Sequence, residues 1–302
     1  MTKHILGRIR SKLKKGGFLG LCATTLRIIY PSKASSFNLC RELINDRSGL
    51  EIGGPSGVFQ QRGIMPIYGI VRSLDNCNFS SETEWEGKIR EGKTFRFHSR
   101  KEPGHQFVGE ATNLQMIPSE TYDFVLSSHV LEHSANPIAA LSEWLRVLKL
   151  GGVLVILVPH KDGTFDHRRP VTSLQHLKED FECQMPETDD SHFREIIALH
   201  DLSRDPEAGT VENFKLRCAK NFQNRCVHHH VFDTNLVVNL LDHMGVKLLA
   251  VETLKPFHIL AVAQKYSAEI DTNNHALISS LQNHLPYSPF PTDKLATRKL
   301  AG

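Results

Sequence analysis

Residues 160–230 hold eight of the seventeen histidines of this 302-residue chain, together with thirteen carboxylates and few long apolar runs. Within them, Asp166-His167-Arg168-Arg169 sets an imidazole beside an acid and two guanidinium groups. That grouping suits removal of a proton from a hydroxyl. Histidine, with an ordinary pKa of about 6.5, is a suitable base, and a neighbouring acid can orient its ring. Arginine forks match carboxylate or phosphate. His167 is therefore the expected base, Asp166 its orienter, and Arg168 and Arg169 the contacts to an anionic acceptor. His160, directly after Pro159, is a further catalytic candidate. His228-His229-His230 puts alternate rings on one face if extended, so His228 and His230 are expected to touch the acceptor. The competing reading is an ion-paired loop that only fixes a roof.

A second constellation is Glu51-Ile52-Gly53-Gly54-Pro55-Ser56-Gly57, an acid at the end of an apolar strand with glycines after it. Glycine there permits a tight turn and close approach of backbone to a ligand, and the acid suits an α-amino group. Asp75 follows 24 residues after Glu51, where a carboxylate can accept two ribose hydroxyls. No GxGxxG is present, so a dinucleotide fits poorly.

The surrounding pattern alternates between periods of strand and helix. Residues 37–45 read as a helix, 49–52 as a first strand, 67–74 as a second, 81–91 as a helix and 107–110 as a third strand. Tyr122 to Ser127 reads as a fourth, buried on both faces. Residues 137–149 form an amphipathic helix ended by Leu150-Gly151-Gly152, and Val153 to Val158 form a fifth strand. After the interruption at 160–230, Asp233 caps a helix over 234–244, and strands follow over 247–252 and 258–264. The expectation is one α/β domain, a mostly parallel seven-stranded sheet with helices on both faces and an inserted cap after strand five. The insertion leaves the carboxyl edge of the sheet, where ligands bind.

Composition bounds the rest. With 40% hydrophobic and 23% charged residues, the chain is neither disordered nor fibrous. The longest apolar run, 151–159, is far short of the roughly 20 residues that span a bilayer. Six scattered cysteines without a CxxC pair, and no signal-peptide pattern, read as a cytoplasmic protein with reduced thiols. Residues 1–41 carry nine basic residues and no acid; with +3 overall, the rest of the chain carries −6. Residues 1–35 are expected to be a basic helical segment, with residues 1–34 contacting an anionic membrane surface at the inner face. The domain is placed at 36–268, with its 160–230 cap, and a flexible tail at 269–302.

The acid-glycine turn, Tyr122-Asp123-Phe124-Val125-Leu126-Ser127-Ser128-His129-Val130-Leu131-Glu132-His133 and Leu145-Arg146-Val147-Leu148-Lys149-Leu150-Gly151-Gly152 come in order. Together they resemble class I S-adenosylmethionine-dependent methyltransferases of the methyltransferase type 11 kind. That resemblance implies a Rossmann-like methyltransferase fold and S-adenosyl-L-methionine as cofactor. Its binding residues would be Glu51, Gly53, Gly54, Gly57, Asp75, Glu110, Ala111, Ser128 and His129, with His129 also a catalytic candidate. Four further stretches resemble a bacterial subgroup linked to surface-glycan gene clusters. They are Leu50 to Ser56, Leu74 to Phe79, Pro159 to Pro170 and His228 to Phe232. The resemblance implies O-methylation of a sugar or glycan precursor.

Other functions stay open. Methylation of RNA or another small metabolite is the first, though nucleic acid is disfavoured by the net negative body. A non-catalytic scaffold in envelope assembly is the second. His129, Glu132 and His133 also resemble a metal cluster of ubiquinone-pathway O-methyltransferases, with a histidine in place of a carboxylate. His228-His229-His230 could join His160 or His167 around an ion. Neither set is complete enough to assign a metal.

Overall fold

The computed structural model describes residues 32–267 and 272–300, so nearly all of the basic N-terminal segment lies outside the described residues. Helix α1 (Phe37–Ile44) leads into β1 (Ser48–Ile52), and β2 (Ser73–Asn78) pairs parallel to it. A small hairpin, β3 (Glu82–Thr83) and β4 (Gly87–Lys88), precedes β5 (Gly92–Phe95) and β6 (Gly104–Val108). The chain then crosses the sheet to β7 (Tyr122–Ser128), α2 (Pro137–Val147) and β8 (Leu148–Pro159). The cap carries α3 (Leu174–Glu182), α4 (Phe193–Leu199), α5 (Val211–Ala219) and α6 (Asn221–Asn224). Helix α7 (Thr234–His243), β9 (Lys247–Leu254) and β10 (His258–Gln264) complete the sheet. Helices α8 (His275–His284) and α9 (Pro291–Leu300) follow.

The sheet order is β5-β6-β2-β1-β7-β8-β10-β9, with β10 antiparallel to both its neighbours. The chain reverses its direction of travel between β1 and β7, which opens a crevice at their carboxyl ends. Period-two alternation builds the two faces. Phe124, Leu126, Val153, Val155 and Leu157 pack with Phe37, Cys40 and Ile44 of α1. Val125, Leu154, Ile156 and Val158 pack with Trp144 of α2 and Leu240 of α7. Both faces are covered, as a continuous apolar run requires. At Gly49 the absence of a side chain is required: an added Cβ would lie 2.1 Å from the Phe124 ring.

Four expectations need correction. The helix expected over 81–91 is the β3–β4 hairpin, because Gly87 (φ 65°) and Gly92 (φ 101°) turn the chain where a helix would continue. The second strand runs over Ser73–Asn78; Ile67 and Val71 are buried in the turn before it, so their hydrophobicity serves the core rather than a strand. The sheet has eight strands rather than seven, since the short β5 adds antiparallel at the edge of β6. The segment expected as a flexible tail folds back as α8 and α9. Asp293 is fully buried there, accepting hydrogen bonds from Thr234 Oγ1 (2.8 Å) and Ser288 Oγ (2.6 Å).

The insertion is a closed excursion. The chain leaves at His160 and returns at Phe232, and these two residues form a parallel bridge. Between them Ile196, Ala208, Phe214, Cys218 and Val227 form a small core of the cap's own. No helix among the described residues is long and apolar enough to cross a membrane.

Candidate active site

The turn after β1 is built around Glu51, which is fully buried. Its carboxylate accepts the Tyr68 hydroxyl proton (2.7 Å) and the Ser56 N–H (3.0 Å). Burial pushes its pKa up to about 7, against the lowering effect of those bonds and with a smaller push from the Glu86 charge. A Cβ at Gly54 would meet the Glu51 carboxyl at 2.3 Å, and Gly53 sits at φ 79°, so only glycine suits this path. At Gly57 an added Cβ would meet open space. Asn78, the last residue of β2, donates from Nδ2 to the Gly54 carbonyl (3.1 Å). A cavity of about 330 Å³ opens beside Gly54, Pro55 and Asn78, with Phe95 and Gln106 in its wall. It lies at the low end of the usual ligand-pocket range, about 300–1,000 Å³.

Across the crevice, the end of β7 carries a group of imidazoles. His129 takes a left-handed backbone (φ 58°), uncommon for a residue with a side chain, and its Nε2 meets His258 Nδ1 at 2.9 Å. Its Nδ1 lies 3.4 Å from Glu132, whose buried carboxylate has no hydrogen-bond partner within the protein. His133 donates from Nδ1 to the Val227 carbonyl (3.0 Å) and its ring lies 4.7 Å from that of His228. Burial, helped by the His228 charge, pushes the pKa of His133 down to about 4. His258 falls to about 3, from burial and the His129 charge. Trp85, at the tip of the hairpin and 57% exposed, packs its ring 5.7 Å from His133.

His228 enters this group from the cap. Its Nδ1 lies 2.5 Å from Asp166 Oδ2, and Asp166 Oδ1 also accepts from Arg169 Nη1 at 3.0 Å. Burial opposes charge on the His228 ring, but the Asp166 carboxylate outweighs it and raises the pKa. Burial likewise opposes charge on Asp166, and His228 with Arg169 holds it below the usual carboxylate range.

A family model described as a methyltransferase domain matches residues 90–156, from β5 through most of β8. Residues 90–156 are thus similar to a methyltransferase domain. S-adenosylmethionine is the cofactor of this class. The fold is Rossmann-like, with a mixed eight-stranded sheet. A S-adenosylmethionine-dependent methyltransferase of Methanosarcina mazei is similar in structure at 18% identity, over 76% of this chain and 97% of that one, with a TM-score of 0.44. One from Mesorhizobium loti has 14% identity, over 77% and 98%, with a TM-score of 0.44. A putative one from Listeria monocytogenes has 13% identity, over 77% and 98%, with a TM-score of 0.42. No curated protein matches the chain.

The residues present fit the cofactor. The open Gly57, the glycine path at 53–54 and the cavity beside Asn78 leave room for a nucleoside at the strand ends. Several sequence expectations about the methyltransferase site need correction. Asp75 lies in mid-strand, level with Leu50 of β1, and its carboxylate accepts the His105 N–H (2.7 Å) and the Tyr122 hydroxyl (2.8 Å). Asn78, three residues on, occupies the strand end. Glu110 is held by Arg225 Nη2 at 2.6 Å, and the Ala111 carbonyl accepts from Trp144 Nε1 at 3.0 Å. Ser128 is the last residue of β7.

In the cap, His167 pairs with Asp201 (2.8 Å) rather than Asp166. The orienting acid thus serves His228. Arg169 is 1% exposed and spends its donors on Asp166, Glu195 and the carbonyls of His228 and His229, so it cannot receive an acceptor. Arg168 stays exposed, 3.4 Å from Asp201. His160 is fully buried, paired with Asp293 (3.1 Å) and stacked on Phe290. His230 lies inside the cap against the Ala135 carbonyl (3.3 Å). Asn78, Trp85 and His258 escaped sequence reasoning, as did the place of Glu132 beside His228 and the His228–Asp166 pairing across 62 residues. Only Glu132 and His228 carried a signal, as members of histidine-rich triplets.

Proposed function

We propose that the protein transfers the methyl group of S-adenosylmethionine to a hydroxyl oxygen of a sugar or glycan precursor. The cofactor supplies an activated methyl with a neutral leaving group. Gly53, Gly54 and Gly57 shape the turn that receives it, and the Asn78 amide oxygen serves a ribose hydroxyl. Asp166, kept ionised by Arg169, accepts the His228 Nδ1 proton and leaves Nε2 bare. That nitrogen takes the acceptor's hydroxyl proton as the carbon–oxygen bond forms. Trp85 and Phe165 (4.6 Å from the His228 ring) offer apolar faces to the carbon face of a sugar.

The observation that carries this reading is the Asp166–His228 pair set beside Glu132 and His133 at the carboxyl end of β7. Wild-type protein incubated with labelled S-adenosylmethionine and a panel of nucleotide sugars and glycosides should yield a methyl ether, identified by mass and NMR. Methyl incorporation into an RNA or amine panel, with none into hydroxyl acceptors, would overturn it.

A further inference from the structure

Deeper in the cap lies a second set of imidazoles and acids that the methyl-transfer reading does not use. His176 and Asp180 stand one turn apart on α3, Asp189 and His192 lie in the loop before α4, and His229-His230 follow His228. A ring nitrogen of each of His176, His192 and His230 lies within 4.8 Å of the other two. His176 Nε2 is 2.8 Å from His192 Nε2 and 3.5 Å from Asp180 Oδ2, and His230 Nε2 is 3.7 Å from the same oxygen. With ligand bonds of about 2.0–2.1 Å, tetrahedral zinc places its donor atoms roughly 3.3 Å apart. The separations from His176 Nε2 bracket that value, and an ion bound through His230 Nε2 would replace its 3.3 Å contact with the Ala135 carbonyl.

Hydrogen bonding leaves the group incomplete. Asp180 Oδ2, His192 Nδ1, His229 Nδ1 and His230 Nδ1 are buried with no hydrogen-bond partner within the protein. Burying a carboxylate oxygen without a partner is costly. The outer contacts orient the rings as a metal site needs. Asp189 Oδ2 faces His192 Nδ1 at 3.6 Å, and its charge favours the tautomer with the proton on Nδ1 and a lone pair on Nε2, toward His176. Ser191 fixes Asp189 through its N–H (3.1 Å) and hydroxyl (2.8 Å). Asn221 Oδ1 accepts the Val227 N–H, so its Nδ2 donates to His229 Nε2 (3.1 Å). The His229 proton is thus on Nδ1, facing Asp189 at 3.7 Å, and His229 acts in the outer layer.

We propose that His176, Asp180, His192 and His230 bind one zinc ion, with Asp189 and His229 as its outer layer. Four protein donors close the coordination sphere, which marks a structural rather than a catalytic site. The ion would join α3, the 183–192 loop and the 228–230 segment. It stands independently of the acceptor assigned above.

The test loads the full chain with one equivalent of zinc, desalts it and measures bound metal. One zinc per chain is expected, and X-ray absorption should show only nitrogen and oxygen donors near 2.0–2.1 Å, with no sulfur. His176→Ala and His192→Ala should lose the stoichiometric ion, and Asp189→Asn should bind it about 10–100-fold more weakly in chelator competition. Glu132→Gln with His133→Ala should retain it. Protein that holds no zinc, a sulfur shell, or zinc lost only from the Glu132–His133 variant would overturn the assignment. The absorption measurement needs no variant, so misfolding of a substituted chain leaves the proposal testable.

Discussion

Glu51→Gln isolates the electrostatic cost at the centre of the cofactor turn. The carboxyl has a pKa of about 7 when folded, against an ordinary 4.5. At ~1.4 kcal/mol per tenfold change in proton affinity, the gap corresponds to ~3 kcal/mol. The sign follows from proton counts. Between these two values the folded chain holds a proton that the unfolded chain has released. The stabilisation is therefore complete below pH 4.5 and is lost as pH rises through 7. Glutamine keeps the shape, can still accept from Ser56, and can donate to the Tyr68 oxygen. It removes the titration. Urea unfolding of both proteins at pH 5 and pH 8 should show the variant gaining about 2.5 kcal/mol relative to wild type between the two, with unchanged m-values. A difference between the proteins that stays constant within ~0.5 kcal/mol would refute the argument.

His228→Ala should cut turnover by roughly 10²–10⁴ with cofactor affinity retained, and wild-type kcat/KM should rise with pH as the ring, whose pKa Asp166 raises, loses its proton. Asp166→Asn should move that rising limb to lower pH. Arg169→Ala leaves Asp166 buried without its cation and should cost about 3–5 kcal/mol in denaturant unfolding, whereas exposed Arg168→Ala should stay within ~0.5 kcal/mol. Asp293→Ala removes the partner of His160, Thr234 and Ser288 and should destabilise by about 1–3 kcal/mol, read as a lower Tm. Deleting residues 1–34 should leave S-adenosylhomocysteine binding intact by calorimetry and abolish salt-sensitive binding to anionic vesicles.

The sheet was legible wherever a strand is buried on both faces or ends in glycine. β1, β7, β8 and β10 announced themselves in this way, and so did α2 and α7 through their period and caps. The edge was not legible. β3, β4 and β5 are two to four residues long, too short for alternation to register, and their turns depend on Gly87 and Gly92. The apolar run at 67–74 misled because Ile67, Tyr68 and Val71 fill the core from a turn, and hydrophobicity alone does not distinguish the two. α9 was missed because its anchor, Asp293, is a polar residue whose partners include His160 and Thr234, both more than fifty positions away.

The site divides along the same physical line. Glycines that a turn requires are local features, so 53, 54 and 57 could be read directly. Pairings of charge are not local. Asp166 lies next to His167 in sequence, yet neighbours in a loop point apart, and its carboxylate reaches His228 and Arg169 instead. Arg169 looked like an acceptor contact because guanidinium groups suit anions. Its burial and four protein acceptors show the opposite use, as the post that holds the His228–His229 backbone. Arg225 donates from Nε to the Phe222 carbonyl (3.2 Å) and bridges Glu110 and Glu187. In this cap the buried cations fix backbone, so the proton chemistry falls to the imidazole that they position. A search for the acceptor should therefore begin at His228, Trp85 and Glu132, not at the arginines.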